Sequence, residues 1–334
     1  STVAAVVNAI QHHLLLAETA TRRDIADPAV IDEVAAIVED VRELRLLYLL
    51  TIADLRATGS TMWNEWRSTL LGRLYRKVAV ALETGEAARA TPDIEAILTA
   101  AEGRFDRRLI EEHVDAMPGN YLATTSPGEV VWHLDVTTGL ETPSHVSVDS
   151  RNADRILVVG TDREGFLVAV SQAFTRNGVG VLDARLRTRS DGLALDTFHV
   201  ADDRTGATIE PERWDRVAAD LTAALEDEAA LEPAIVDRIR AYRRHDEGQS
   251  PVEVRTDRSG HNTVVEVRAP DRIGLLLDIV EALHGEGLDV RLAKIDTMGG
   301  QARDLFHVRR SGVRIKDEAE LSDLRTRIYD RLRD

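Results

Sequence analysis

Two stretches of the chain set a charged pair and a glycine at the mouth of an apolar helix pattern. In TDREGFLVAVSQAFTRNGVG, residues 161–180, the corner is Asp162-Arg163-Glu164-Gly165. In PDRIGLLLDIVEALHGEGLD, residues 270–289, it is Asp271-Arg272-Ile273-Gly274. These residue types suit binding rather than bond breaking. A glycine at the corner lets a ligand carboxylate reach the N–H groups of the helix N-terminus, which carry partial positive charge. Asp162 and Asp271 stand where a carboxylate either caps the following helix or accepts a ligand ammonium. Together the groups complement a zwitterionic amino acid. The plainer alternative is that Gly165 and Gly274 serve only the backbone geometry of a strand-to-helix turn. Phe166 and Leu275, the first residues of the two helix patterns, belong to the same candidate set.

The elements that must hold these corners are themselves repeated. Before the first corner runs a strand pattern, RILVVG, and after it a helix carrying Phe166, Leu167, Val170 and Phe174 at helical spacing. Gly178 follows as the expected left-handed helix terminus. Two strand patterns, VGVLDARLRTR and LALDTFHV, then lead to a second helix, PERWDRVAADLTAALED. The second copy runs NTVVEVRA, a helix with Leu275, Leu276, Ile279 and Leu283, Gly287, LDVRLAKIDTM, ARDLFHV and EAELSDLRTRIYDRL. With one residue dropped in the hairpin, the copies share Asp162/Asp271, Arg163/Arg272, Gly165/Gly274, Gly178/Gly287, Ala184/Ala293, Thr188/Thr297 and Asp196/Asp304. Both also end their third strand on Phe-His-Val. Each copy reads as a ferredoxin-like split βαβ unit, β-α-β-β-α-β if a short strand follows. Alternatively it borrows the strand that precedes it, SHVSVD or PVEVRTD. His199 and His307 alternate with apolar neighbours, so an exposed or inter-repeat position is expected for them.

Residues 1 to about 120 have a different character. DIADPAVIDEVAAIVEDV sets Asp27 as N-cap and Pro28 at the first helical position, where its missing N–H costs nothing. Further helical patterns run from Arg42 to Ala57, from a Ser60 or Thr61 cap through Trp63, Trp66, Leu70, Leu74 and Val78, and from Thr91-Pro92 to Pro118-Gly119. The stripe of Trp63, Trp66, Leu70 and Leu74 reads as core. In the segment 121–150, EVVWHLDV and SHVSVDS read as short strands. The expected organisation is therefore α+β: helices over 1–120, a connecting segment over 121–150, repeats over 151–230 and 261–334, and a polar linker over 231–260.

Composition limits the functions open to such a chain. Its 334 residues exceed one small core, and its net charge of −16 disfavours a phosphate backbone as partner. No apolar run approaches the roughly 20 residues of a membrane-spanning helix, and no basic amphipathic stretch suggests a membrane surface. The absence of cysteine removes disulfides, thiolate metal sites and a cysteine nucleophile, and accords with the cytoplasm. The sequence starts without Met, inside a helical pattern and with no targeting signal, so a fragment of something larger is expected.

The Asp-Arg-x-Gly corner, the glycine-ended helix and the hairpin resemble ACT domains, small modules that bind amino acids. A tandem pair behind HHLLL, RRDIADP, LYLLTIADLRAT, MWNEWRSTLL and EVVWHL resembles the C-terminal half of the bifunctional PII uridylyltransferase/uridylyl-removing enzyme family, in order and nearly from end to end. The resemblance implies the end of an HD-type metal phosphohydrolase domain followed by two ACT domains that sense glutamine. It also implies control over modification of the PII nitrogen-signalling protein, and a possible homodimer through the ACT domains. Ile273 replaces the proline usual at the second corner, which loosens a turn whose φ proline would fix.

By the same resemblance Asp54, in LLTIADLRAT, is a ligand of the hydrolase metal, and His13 a residue of that pocket. Mg or Mn is expected for the intact enzyme and no cofactor for this fragment, because the remaining metal ligands would precede residue 1. The transferase's Asp-x-Asp is absent, so activity of this chain alone is not expected. His245-Asp246 lies in the linker and reads as unrelated to the metal; Arg22-Arg23-Asp24 reads as a surface ion network or a remnant of the phosphate-facing wall. The resemblance also places a polar ligand contact two residues after the helix-ending glycine, at Asp289 in the second copy and Gly180 in the first. That difference favours the second corner as the ligand site. Two rival readings remain: a stand-alone metal phosphohydrolase, and an ACT docking module without a small-molecule ligand.

Overall fold

A computed structural model of the chain describes residues 2–23, 25, 27–38, 40–57, 65–85, 93–118, 121–140, 147–152, 154–227, 229–242, 253–259, 262–295, 297–298 and 301–333. Asp24, the Ser60/Thr61 and Thr91-Pro92 caps, Trp63 and His245-Asp246 lie outside these residues, as does the side chain of Trp66. The chain forms two compact units, residues 1–93 with 119–126, and residues 94–118 with 127–334.

In the first unit, α1 (Thr2–Gln11), α2 (Leu15–Arg22), α3 (Pro28–Val38), α4 (Val41–Ala57) and α5 (Glu65–Thr84) follow in order. Asp27 accepts the N–H of Ala29 at 2.9 Å, so the expected cap and the Pro28 start of α3 are both present. Leu16, Val34, Leu44, Leu71, Leu74 and Val78 bury the apolar stripes of these helices against one another.

The helix expected over the next segment is broken in two: α6 (Ile94–Ala101) and α7 (Arg107–Ala116). Glu102 and Gly103 both take positive φ, 51° and 78°, and Asp106 starts a new helix by accepting the N–H of Leu109 at 2.8 Å. After α8 (Tyr121–Thr124), EVVWHLDV forms part of a helix, α9 (Pro127–Thr138), and not the expected strand. Its alternation was deceptive because Val130, Val131, Trp132, His133, Leu134 and Val136 are all buried, on more than one face. α6, α7 and α9 belong to the second compact unit, with the repeats, although they were expected with the first helical block or the connecting segment.

The repeats follow as β1 (Ser147–Asn152), β2 (Arg155–Thr161), α10 (Phe166–Asn177), β3 (Val179–Arg185), β4 (Leu193–Asp202) and α11 (Glu212–Glu226). α12 (Glu232–Tyr242) stands where only polar linker was expected; Leu231 and Ile235 bury its apolar side. The second copy is β5 (Glu253–Ser259), β6 (Asn262–Pro270), α13 (Leu275–Gly285), β7 (Asp289–Lys294), β8 (Thr297–Met298), β9 (Gln301–Arg309) and α14 (Glu318–Arg333). Each copy thus takes its outer strand from the preceding segment, the second of the two arrangements expected.

The two copies share one antiparallel sheet of nine strands among the described residues, in the order β1-β2-β4-β3-β7-β9-β6-β5, with β8 beside β9. At its centre Asp183, Ala184 and Arg185 pair with Lys294, Ala293 and Leu292. Ala184 and Ala293 are equivalent in the repeat, so an approximate two-fold axis passes between them and relates the copies. The core runs without interruption across this axis, from Phe174 and Phe198 in one copy to Leu283 and Phe306 in the other. In the first copy α9 packs on the other sheet face. α9 reaches it through Arg155, which pairs with Glu129 and lies 5.8 Å over the Trp132 ring, and through His133, 3.4 Å from Thr197. His307, opposite Val264 and Leu292 in the sheet, is only 1% exposed and not a surface group; His199 is half-buried. No helix among the described residues is long and apolar enough to cross a membrane.

Phe174 packs edge-on against Phe198, centroids 5.1 Å apart, and so fastens α10 to β4. Phe174→Ala is expected to lower stability by about 3–5 kcal/mol through lost burial and a residual cavity. A urea midpoint unchanged from the parent would contradict that placement.

Candidate functional site

Both corners have the same backbone. Gly165 and Gly274 take φ of 78° and 87° as the residues before α10 and α13, a left-handed conformation costly for any residue with a Cβ. In each, the first helical N–H returns to the arginine carbonyl: Phe166 to Arg163 at 3.1 Å, Leu275 to Arg272 at 3.2 Å. The geometric reason for glycine therefore holds at both positions, whatever either corner binds.

The first corner opens onto a cleft of about 460 Å³, and the second copy supplies its far wall. Asp162, Gly165 and Phe166 line one side, Asp289 and Arg291 the other, with Asp196 also on the lining. The two-fold axis causes this arrangement, since it brings the start of α10 opposite the end of α13 and the start of β7. Asp289, expected to serve its own copy, thus faces the first copy's corner. Asp271, Arg272, Gly274 and Leu275 lie outside this cleft, as does Gly180.

Charge in the cleft is mixed and partly committed. Thr188 donates to an oxygen of Asp162 at 2.7 Å, which fixes the carboxylate at the corner. Arg163 lines the cleft, yet its guanidinium donates to the Leu225 carbonyl near the end of α11. Arg291 pairs with Asp289 at 3.2 Å and His284 adds a titratable group at the end of α13. Opposed carboxylates, a helix N-terminus and an arginine give the cleft separate places for an ammonium and a carboxylate.

Asp196 was absent from the candidate set, although its recurrence as Asp304 was visible in the repeat. It projects from β4 toward the helices, is 5% exposed and accepts the backbone N–H of Arg187 at 3.1 Å. Burial pushes its carboxyl up to about 8; nearby Asp162 adds to the shift, while the Arg187 N–H and the Arg291 charge oppose it. At neutral pH it is therefore chiefly a neutral acid, able to donate a hydrogen bond into the cleft.

The metal-site candidates sit in the first unit. Asp54 is half-buried on α4. His13 is exposed between α1 and α2, its Nδ1 2.9 Å from the Ile10 carbonyl. Thr51, one turn before Asp54, donates to the His13 carbonyl at 3.3 Å, so the two candidates lie on adjoining elements. Among the described residues no three His, Asp or Glu side chains converge to hold a metal ion. Arg23 is paired with Glu33, as a surface ion network would be.

Because Asp196 keeps its proton in the fold to about pH 8 but releases it near pH ~4 when unfolded, the fold is favoured most below the lower value. That contribution is lost as pH rises through the upper one. Asp196→Asn keeps the acceptor for Arg187 and cannot ionise. Its melting temperature relative to the parent is expected to rise steadily from about pH 5 to about pH 9. A difference that stays constant over that range would show that the carboxyl ionises normally.

No family model matches the sequence. The chain is 34% identical over 332 residues to the bifunctional uridylyltransferase/uridylyl-removing enzyme of Gluconobacter oxydans, covering 95% of this chain and 35% of that protein. It is 30% identical over 314 residues to the enzyme of that name from Nitrosospira multiformis, covering 91% and 35%. With the one from Vibrio atlanticus it shares 32% over 337 residues, covering 96% and 38%. The chain therefore spans little more than a third of the length of these relatives. Matched across nearly all of its own length, it belongs with the bifunctional uridylyltransferase/uridylyl-removing enzymes as a counterpart of their C-terminal part.

Proposed function

We propose that the chain is the regulatory region of a PII-modifying enzyme, and that its two ACT-type repeats sense glutamine in the cleft at the Asp162–Gly165 corner. The supporting observation is the composition of that cleft: one repeat brings the helix N-terminus and Asp162, and the other brings Asp289 and Arg291. A free amino acid presents an ammonium and a carboxylate on one carbon, and the cleft offers an opposite charge to each. Asp196, as a neutral acid, adds a hydrogen-bond donor suited to a carbonyl oxygen.

In this reading glutamine acts by a population shift. It changes the balance between nucleotidyl transfer to PII and its removal only by binding one arrangement of the enzyme more tightly than another. The catalytic steps, and the Mg or Mn they need, belong to parts of the relatives beyond the region matched here. The helical unit with Asp54 and His13 is the end of the HD-type domain and inactive by itself. The location is cytoplasmic, and the PII protein is the partner of the whole enzyme.

Isothermal titration of the chain with L-glutamine, with L-glutamate as control, tests this. Sub-millimolar binding selective for the amide is expected. Asp162→Asn or Asp289→Asn should each weaken it about tenfold, the worth of one charge-assisted hydrogen bond. No heat from a folded sample would favour a docking module instead.

A further inference from the structure

The two-fold axis demands a second cleft, at the Asp271–Gly274 corner and the end of α10, and the structure shows what has become of it. At the first corner, a methyl group placed on Gly165, or on Gly287 across the cleft, would meet no atom within 4 Å. At the second, a methyl on Gly274 would lie 2.8 Å from Ile239 Cδ1. Across from it, a methyl on Gly178 would lie 2.8 Å from Arg238 Nη2. Both obstructing residues come from α12, whose Ile235 is buried and whose Ile239 packs against the shared core.

The contacts of α12 mirror those a ligand would make. Arg238 places its guanidinium against both carboxylate oxygens of Asp203, at 2.8 and 2.7 Å. Asp203 stands against Gly180, the repeat equivalent of Asp289, and its N–H is held by the Gly178 carbonyl at 3.1 Å. A cation therefore sits on a carboxylate at the end of α10, where the helix carbonyls also favour positive charge. Ile239 supplies the apolar part, against the glycine of the corner. The remaining chemistry of the first site is retained: Asp271, Gly274 in the same left-handed turn, and buried Asp304 on β9 in the place of Asp196.

We propose that the Asp271–Gly274 corner is a latent second site for a free amino acid, and that α12 keeps it closed by presenting Arg238 and Ile239 in the ligand's place. This rests on the amino-acid reading of the first cleft. It assigns the asymmetry between two near-identical corners to a helix outside both repeats, and not to Ile273 or to the loss of a carboxylate at Gly180.

The test is the stoichiometry of L-glutamine binding by the full chain and by the double variant Arg238→Ala, Ile239→Ala, which removes both contacts and retains helix-forming residues. The parent is expected to bind one glutamine and the double variant two, and adding Gly274→Val to the double variant should return it to one. One glutamine in both parent and double variant, or two in the parent, overturns the latent site and leaves the first intact. Binding by the double variant alone supports the latent site and removes the first, whereas no binding by either removes both. Seating of α12 is read without any ligand. The chain has no cysteine, so Ile239→Cys carries a single thiol. It should react with a maleimide about tenfold more slowly than Asp237→Cys on the exposed side of the helix. Equal rates would mean that α12 is not seated, and would overturn the proposal regardless of the titration.

Discussion

The pairing of β3 with β7 around Ala184 and Ala293 is the contact on which the rest of the repeat region depends. Each copy has a sheet whose inner edge is incomplete alone, and an open edge is a row of unpaired N–H and C=O groups. Joining the two edges satisfies both, and allows one apolar core to pass beneath α10, α11, α12, α13 and α14. Because equivalent residues meet there, the whole second copy is fixed by rotation of the first. The corner of each copy must then face the helix end of the other.

That constraint explains why residues of both repeats line the cleft. The glycine of the corner supplies approach and Asp162 a charge, but the opposing charges come from Asp289 and Arg291, in the other repeat. It also explains the unusual state of Asp196. A carboxyl on the helix side of a central strand is removed from water by the same core that joins the copies, and a single backbone N–H does not repay ionisation there. Its presence in both copies, as Asp196 and Asp304, marks a polar position kept inside an apolar layer.

Much of this was legible in the residues. The repeat, the corners and the left-handed helix-ending Gly178 and Gly287 followed from spacing and from the steric demands of φ > 0, because these are local properties. The α+β class followed from period and turn signals, which left the borrowed outer strands as one of two arrangements. What failed was non-local. EVVWHLDV read as a strand because alternation over a few residues cannot reveal that a segment is buried on several sides, as α9 is. The break at Gly103 was hidden inside an otherwise continuous helical pattern. EPAIVDRIRAY looked like linker because its few apolar residues, Ile235 and Ile239 among them, have meaning only against α10 and the second corner. Asp289 was assigned to its own copy because a sequence carries no sign of which copy a strand end will face. The cleft is a property of the axis, and the axis is visible only once β3 and β7 are paired.

The same geometry decides how binding can act at a distance. In the reading proposed above, a ligand in the open cleft touches the start of α10 in one copy and the start of β7 in the other, so its binding energy depends on their separation. α12 makes the matching contact on the opposite side, from the end of α10 to the start of α13. The two clefts share α10 as a wall, at its first turn in one and its last in the other. A rigid helix cannot shift at one end alone. On that reading, occupation of the open cleft is linked to the seating of α12, whose chain continues into the polar segment between the repeats. A regulatory signal needs no new element to leave the sheet, because the helix that closes one corner is already the segment that joins the copies.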